Sequence, residues 1–225
     1  MPTSRSYHDA CGIARALDVL GERWALLIVR ELLLGPQRFA DLRAALPQAS
    51  SNIVTDRLRE LGAHGVVARR RLPAPGAAWV YELTPHGREA EPIVLALGDW
   101  GVRLPPRDDT AALSATSTLI YLRSAARPDP AWPPAVYRVQ LGAQVWTVRA
   151  ADGAVSVTQG DPAGCDAGLA TDPRTLNALL GDPDRLAGAE RAGTAVVTGD
   201  RAALLRLLDA VPAAGRTAPA SPPRV

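Results

Sequence analysis

Ser50 to Arg59 carry the residue types whose spacing can do chemistry. Val54, Leu58 and Leu61 recur at i, i+4 and i+7, which is one stripe of a helix. The face opposite holds Ser51, Asn52, Thr55, Asp56 and Arg59. An asparagine amide can bond two atoms of an adenine edge, serine and threonine suit base edges or phosphates, and arginine suits guanine or phosphate. Arg57 borders the stripe and is placed to meet a phosphate backbone or an acidic neighbour. Further on, Arg69, Arg70 and Arg71 are consecutive. Strand side chains alternate, so either Arg70 or the pair Arg69 and Arg71 would face phosphates. Two plainer explanations exist, a solvated helix face and an edge strand charged against aggregation. Taken as a set, the groups favour double-stranded DNA as partner. Arg38, at the start of an earlier helix, suits either a phosphate or an ion pair with Asp41.

Catalytic chemistry has no such support. His8, His64 and His86 are scattered, with no serine or cysteine arranged beside them. Asp161, Asp166 and Asp172 read as solvated loop acids, and neither a glycine-rich phosphate loop nor metal-ligand spacing is present. No enzyme, catalytic residue, metal or cofactor is expected.

The elements that must position the polar face follow in order. Cys11–Leu20 turns Ile13, Ala16, Leu17 and Leu20 to one side, and Trp24, Leu27, Ile28 and Leu32 form a second stripe ended by Gly35-Pro36. A short helix with Phe39, Leu42 and Leu46 inward stops at Pro47, and Ser50 or Ser51 caps the next. Gly65 permits a left-handed exit. Val66–Leu72 and Ala78–Leu83 have strand composition around Pro73-Ala74-Pro75-Gly76, and a helix runs from about Pro85 to about Trp100. This order is that of a winged helix-turn-helix.

Composition sets the frame. The chain has 225 residues, 47% hydrophobic and 21% charged, which is globular rather than disordered. No apolar run approaches the about 18 residues of a membrane span. Residues 1–9 lack the apolar stretch of a secretory signal, and two cysteines make no disulfide framework. A cytoplasmic protein without membrane contact is expected. Residues 1–107 hold 14 Arg against 11 acids (+3), and residues 108–225 hold 11 Arg against 12 (−1). All 25 basic residues are Arg, so clustering is the informative signal, not abundance. Paired prolines at Leu104-Pro105-Pro106-Arg107-Asp108-Asp109 mark a boundary, giving domains 1–107 and 108–212 and a disordered tail over 213–225.

Residues about 8–102 resemble the HxlR-type winged-helix transcriptional regulators. The resemblance rests on Cys11 with Ala16-Leu17-Asp18-Val19-Leu20-Gly21, on Arg23-Trp24-Ala25-Leu26-Leu27-Ile28 and on Gly35-Pro36-Gln37-Arg38-Phe39-Ala40-Asp41-Leu42-Arg43. Leu58-Arg59-Glu60-Leu61, Gly65-Val66-Val67-Ala68-Arg69 and Trp79-Val80-Tyr81-Glu82-Leu83-Thr84-Pro85-His86-Gly87 complete it. It implies a homodimer, more often a repressor than an activator, joined through its first and last helices, with Ile93, Leu97 and Trp100 as an apolar set. Some members carry a cysteine that responds to oxidants where Cys11 stands. A cysteine at a helix start can be held as thiolate, but small buried cysteines are also common.

The second half changes texture. Val136–Leu141, Gln144–Arg149 and Ala154–Thr158 read as an antiparallel meander turned by Asp152-Gly153. Asp172-Pro173 opens a helix at Thr175–Leu180, and a strand at Thr194–Thr198 precedes a helix from Asp200 through Leu208 that buries Leu204, Leu205 and Leu208. This half resembles the sterol-carrier-protein-like fold. The expected architecture is α+β, an N-terminal winged helix-turn-helix followed by a C-terminal α/β sandwich. That second fold implies a pocket for a hydrophobic small-molecule effector, with Trp132, Tyr137, Trp146 and Leu179 as its lining or as plain core. The leading function is a dimeric DNA-binding regulator controlled by that effector. The alternative is a lipid or small-molecule binding protein whose winged helix mediates protein contacts.

Overall fold

The computed structural model describes residues 6–73, 77–104 and 113–212. Most of the Pro73–Gly76 connection, the Pro105–Asp109 boundary and the 213–225 tail expected from sequence lie outside the described residues. The chain divides into two compact units, Met1–Thr116 and Ser117–Val225.

The first unit begins with α1 (Gly12–Leu20), α2 (Ala25–Leu32), α3 (Phe39–Ala45) and α4 (Ser51–Ala63). A hairpin of β1 (Val67–Arg71) and β2 (Trp79–Leu83) follows. Then come the single turn α5 (Pro85–Arg88) and the longer α6 (Glu91–Gly101). The core is built on α2, whose buried residues are Ala25, Ile28, Val29, Glu31 and Leu32. The expected stripe is therefore rotated, because Leu27 faces solvent and Trp24 stands before the helix in a left-handed turn (φ 80°) beneath the Arg23 guanidinium. Glu31 is buried, where an unpaired charge would be costly. Arg30 Nε at 2.8 Å and Ser114 Oγ at 2.7 Å both donate to Glu31 Oε1.

Two further expectations are corrected. The apolar side of α1 is not inward, since only Ala14 is buried while Ile13 is 75% exposed. The helix expected from Pro85 to Trp100 is broken, because Pro92 lacks the N–H that a continuous helix would need and instead sits in the first turn of α6.

One threonine joins the end of α4 to the hairpin and to α5. Gly65 leaves α4 with φ 69°, and Thr84 Oγ1 donates to the Gly65 carbonyl at 2.5 Å. The same hydroxyl caps α5 by accepting from Gly87 N at 3.0 Å, while Thr84 N donates to the Val66 carbonyl at 3.0 Å.

The second unit contains most of α7 (Ala115–Ala125), then β3 (Ala135–Leu141), β4 (Gln144–Ala151), β5 (Ala154–Gln159) and β6 (Ala167–Thr171). After them come α8 (Pro173–Gly181), a 3-10 turn at Pro183–Arg185, α9 (Leu186–Arg191), β7 (Ala195–Gly199) and α10 (Arg201–Asp209). The sheet order is β5-β4-β3-β6-β7, antiparallel except for the parallel pair β3 and β6. The sequence reading missed α7, β6 and α9. Ala167-Gly168-Leu169-Ala170-Thr171 has little β-branched character, yet it is a central strand because Gly168 lets Thr198 of β7 come close. The last helix buries Ala203, Leu204, Leu207 and Leu208, with Leu205 only half-buried. The three aspartates read as solvated are structural. Asp161 pairs with Arg138 at 2.9 Å, Asp166 accepts from Val136 N at 2.7 Å, and Asp172 caps α8.

A Cβ on Gly87 would run into the Val66 carbonyl oxygen, which is backbone and cannot swing aside. Helix propensity alone would favour alanine by up to about 1 kcal/mol. The collision outweighs it, so Gly87→Ala is expected to destabilise the fold by about 2 kcal/mol. A urea midpoint equal to that of the unsubstituted protein would show the junction to be looser than this.

Candidate nucleic-acid interface

Core packing fixes α4. Val54, Leu58 and Leu61 are buried, and Ser50 supplies the cap, its Oγ accepting from Ile53 N at 3.3 Å. Ser51 is therefore the first helical residue, free of the capping role. Ser51, Asn52, Thr55 and Arg59 lie on the exposed side. Asn52 forms no side-chain hydrogen bond among the described residues, so its amide keeps both donor and acceptor capacity. Thr55 Oγ1 donates to the Ser51 carbonyl at 2.9 Å, leaving its lone pairs to accept.

The arginines divide into tied and open. Arg57 forms ion pairs with Glu60 at 2.5 Å and Glu22 at 3.5 Å, and its side chain is largely covered. Of its two expected partners, the acidic one is present in the structure. Arg59 is well exposed and meets Asp56 at 2.9 Å, a surface pair worth little and easily exchanged for another acceptor. Arg38 is exposed, and Asp41 accepts from its backbone N–H at 3.2 Å. No Arg38–Asp41 side-chain ion pair forms, so that alternative is corrected: the carboxylate caps the helix instead.

The hairpin resolves the three consecutive arginines. Its register sets Arg69 opposite Tyr81, Arg70 opposite Val80 and Arg71 opposite Trp79. Arg70 is held by Glu82, Nε to Oε1 at 2.8 Å. That hydrogen bond, and then the carboxylate charge, raise the Arg70 pKa. On the other side Arg69 stacks over Trp79 at 4.5 Å and near Tyr81 at 5.9 Å, a cation–π arrangement that leaves the guanidinium edge open. Arg71 shares that side and forms no ion pair among the described residues. Trp79 is 51% exposed. Gln37, buried, adds a short third rung by exchanging backbone bonds of 2.9 and 2.8 Å with Tyr81. Sequence reasoning missed Glu82, which the observed register sets diagonal to Arg70. It also missed Ile53, which stands 39% exposed in the first turn of α4.

The remaining expected residues lie apart from this face. Cys11 is exposed at the cap of α1, its Sγ accepting from Ala14 N at 3.3 Å, which corrects the buried alternative. In the second unit Trp146 and Leu179 are fully buried core. Trp132 and Tyr137 edge a hollow of about 10 Å³, room for a water and not for a lipid. The four do not surround one pocket. Burial raises the Tyr137 pKa, and its hydroxyl donates to the Ala203 carbonyl at 3.2 Å. Among the described residues no three His, Cys, Asp or Glu side chains gather as metal ligands, and no helix is long and apolar enough to cross a membrane.

A capped helix packed behind two others and followed by a basic hairpin defines the winged helix-turn-helix class. Comparison with known proteins agrees. The profile of the HxlR-like helix-turn-helix family matches residues 19–109. The HTH-type transcriptional regulator YvaP of Bacillus subtilis is 41% identical over 86 residues, covering 38% of this chain and 80% of that protein. The regulator sll1512 of Synechocystis is 37% identical over 94 residues, 40% of this chain and 70% of that one. Among solved structures, the redox regulator HypR in its oxidized form is 33% identical, covering 43% of this chain and 100% of that chain with a TM-score of 0.41. The chain belongs to the HxlR-like helix-turn-helix family of transcriptional regulators and is not an enzyme.

The Arg70–Glu82 pair yields a test of which side of the hairpin meets DNA. Glu82→Gln frees Arg70, and the salt dependence of DNA binding is expected to steepen by about one released counterion. An unchanged slope would mean that Arg70 points away from the duplex.

Proposed function

We propose that this chain is a homodimeric, sequence-specific DNA-binding regulator that acts as a repressor. In this reading α4 lies in the major groove and the hairpin meets the flanking backbone. The observation that carries it is the outward face of α4, where Ser51, Asn52, Thr55 and Arg59 stand exposed while three buried side chains fix the helix. Asn52 reads adenine and Arg59 reads guanine or phosphate. Ser50, Arg38, Arg69 and Arg71 take phosphates, with Arg70 joining them only when released from Glu82. Repression requires no more than occupancy of a promoter, whereas activation needs an added contact with polymerase.

Dimerisation is supported by apolar surface left uncovered on α1 and α6. Ile93, Leu97 and Trp100 fall on one side of α6 at i, i+4 and i+7 and are 51, 49 and 55% exposed, and α6 buries no residue of its own. We assign DNA binding to residues 1–107 and effector binding to residues 108–212, the latter as a sterol-carrier-like module. Support for that module is a five-stranded sheet accompanied by helices. A hydrophobic effector of drug size requires the layer around the small hollow to open. It would control DNA affinity only through different affinities for two spacings of the recognition helices.

Two measurements test this reading. Asn52→Ala is expected to weaken binding to a selected duplex by about 1–3 kcal/mol while leaving nonspecific DNA almost unaffected. Equal losses on both would remove Asn52 from the base-reading set, and binding without salt dependence would favour the protein-contact alternative. Native mass spectrometry of protein from its own host should give a dimer carrying one apolar small molecule per chain. A monomer would overturn the dimer, and an empty dimer the effector.

A further inference from the structure

We propose that Ile53 reads the C5 methyl group of a thymine in the major groove, so that the bound sequence carries a required thymine beside the base read by Asn52. The inference rests on the proposed role of α4. Neither helix formation nor the core asks for this isoleucine. The core row is Val54, Leu58 and Leu61, and Val54 takes the buried place next to Ile53. A β-branched residue is a poorer helix former than alanine. Ile53 is nevertheless large, apolar and 39% exposed, and it follows directly on the exposed Asn52.

The side chain best placed to cover it is Arg57, one turn later on the same helix. Arg57 is drawn instead to Glu60 at 2.5 Å and Glu22 at 3.5 Å. Those ion pairs draw the guanidinium toward Glu60 and Glu22, and Ile53 keeps 39% of its surface exposed. The first turn of α4 has no acidic residue to repel phosphates, and the first turn is the part of a recognition helix that meets base edges. In the major groove an A·T pair presents donor and acceptor atoms on adenine and a methyl group on thymine, the apolar feature that distinguishes it from the other bases. Asn52 and Ile53 are adjacent and match those two features, one by hydrogen bonding and one by apolar contact.

The test deletes the methyl from the DNA. A duplex is first enriched from a randomised library by the full-length protein. Each thymine is then replaced in turn by deoxyuridine, which pairs identically and lacks only the methyl, and Kd is measured by fluorescence anisotropy. At one thymine per half-site the replacement should weaken binding about three- to fivefold, the loss expected for uncovering one methyl-sized group. Ile53→Ala should show the same loss on unmodified DNA and no further loss with deoxyuridine at that position. Ile53→Val, which keeps methyl groups and the β-branch, should retain the discrimination. Equal deoxyuridine penalties in the unsubstituted protein and Ile53→Ala, or no penalty at any thymine, would overturn the assignment. Failure to enrich any sequence would instead overturn the reading of α4 on which it rests.

Discussion

The orientation of α4 relative to the hairpin depends on Thr84. Its hydroxyl donates to the Gly65 carbonyl at the exit of α4 and accepts from Gly87 at the start of α5, and its amide bonds the Val66 carbonyl. Three elements thus meet at one side chain. A base-reading helix and a phosphate-reading hairpin act together only if held to a fraction of an ångström, because hydrogen bonds to base edges weaken steeply with distance and angle. The neighbouring Gly87 belongs to the same constraint, since any side chain there would displace the Val66 carbonyl. Gly65 completes it by supplying the left-handed turn that brings the chain from helix to strand.

Charge on this surface is sorted more finely than its total conveys. Arg57 and Arg70 are each held by a carboxylate within the fold, so they add less to attraction for phosphates than their number implies. Arg69 is held differently, by the faces of Trp79 and Tyr81, which order the guanidinium without neutralising it. An ordered cation loses less entropy on meeting a phosphate than a freely rotating one. Affinity in the proposed complex therefore leans on Arg38, Arg69 and Arg71, while discrimination lies with the exposed side chains of α4.

Much of the first unit was legible because its signals are local. The Val54, Leu58, Leu61 stripe, the serine cap and the glycine exit of α4 all follow from spacing within a few residues. What escaped was set by tertiary partners. The stripe of α2 turned by a residue because Trp24 stands in a left-handed turn outside the helix, which periodicity cannot reveal. Arg57 and Arg70 have an identical appearance to their neighbours in sequence, and only Glu22, Glu60 and Glu82 in space set them apart. In the second unit β6 was hidden because an interior strand of Ala, Gly, Leu and Thr owes its place to the close approach of Thr198, not to propensity. Two of the four residues expected as pocket lining or core, Trp146 and Leu179, are core, a difference that spacing along a strand or helix does not encode.

The uncovered side chains of α1 and α6 set a scale for the proposed dimer. Ile13, Leu17, Ile93, Leu97 and Trp100 are each at least two-fifths exposed. Covering the open half of such a side chain contributes about 1 kcal/mol, so two copies gain about 10 kcal/mol together. Association costs about 4–15 kcal/mol in lost freedom and ordering. The seam on its own is therefore of marginal to moderate strength, and anything else that holds two copies together shifts the balance. Two half-sites on one duplex do so by raising the effective concentration of the second copy. By linkage, DNA then strengthens the dimer by the same factor with which dimerisation strengthens DNA binding. A ligand that alters the seam by only 1–2 kcal/mol would be enough to move operator occupancy about tenfold.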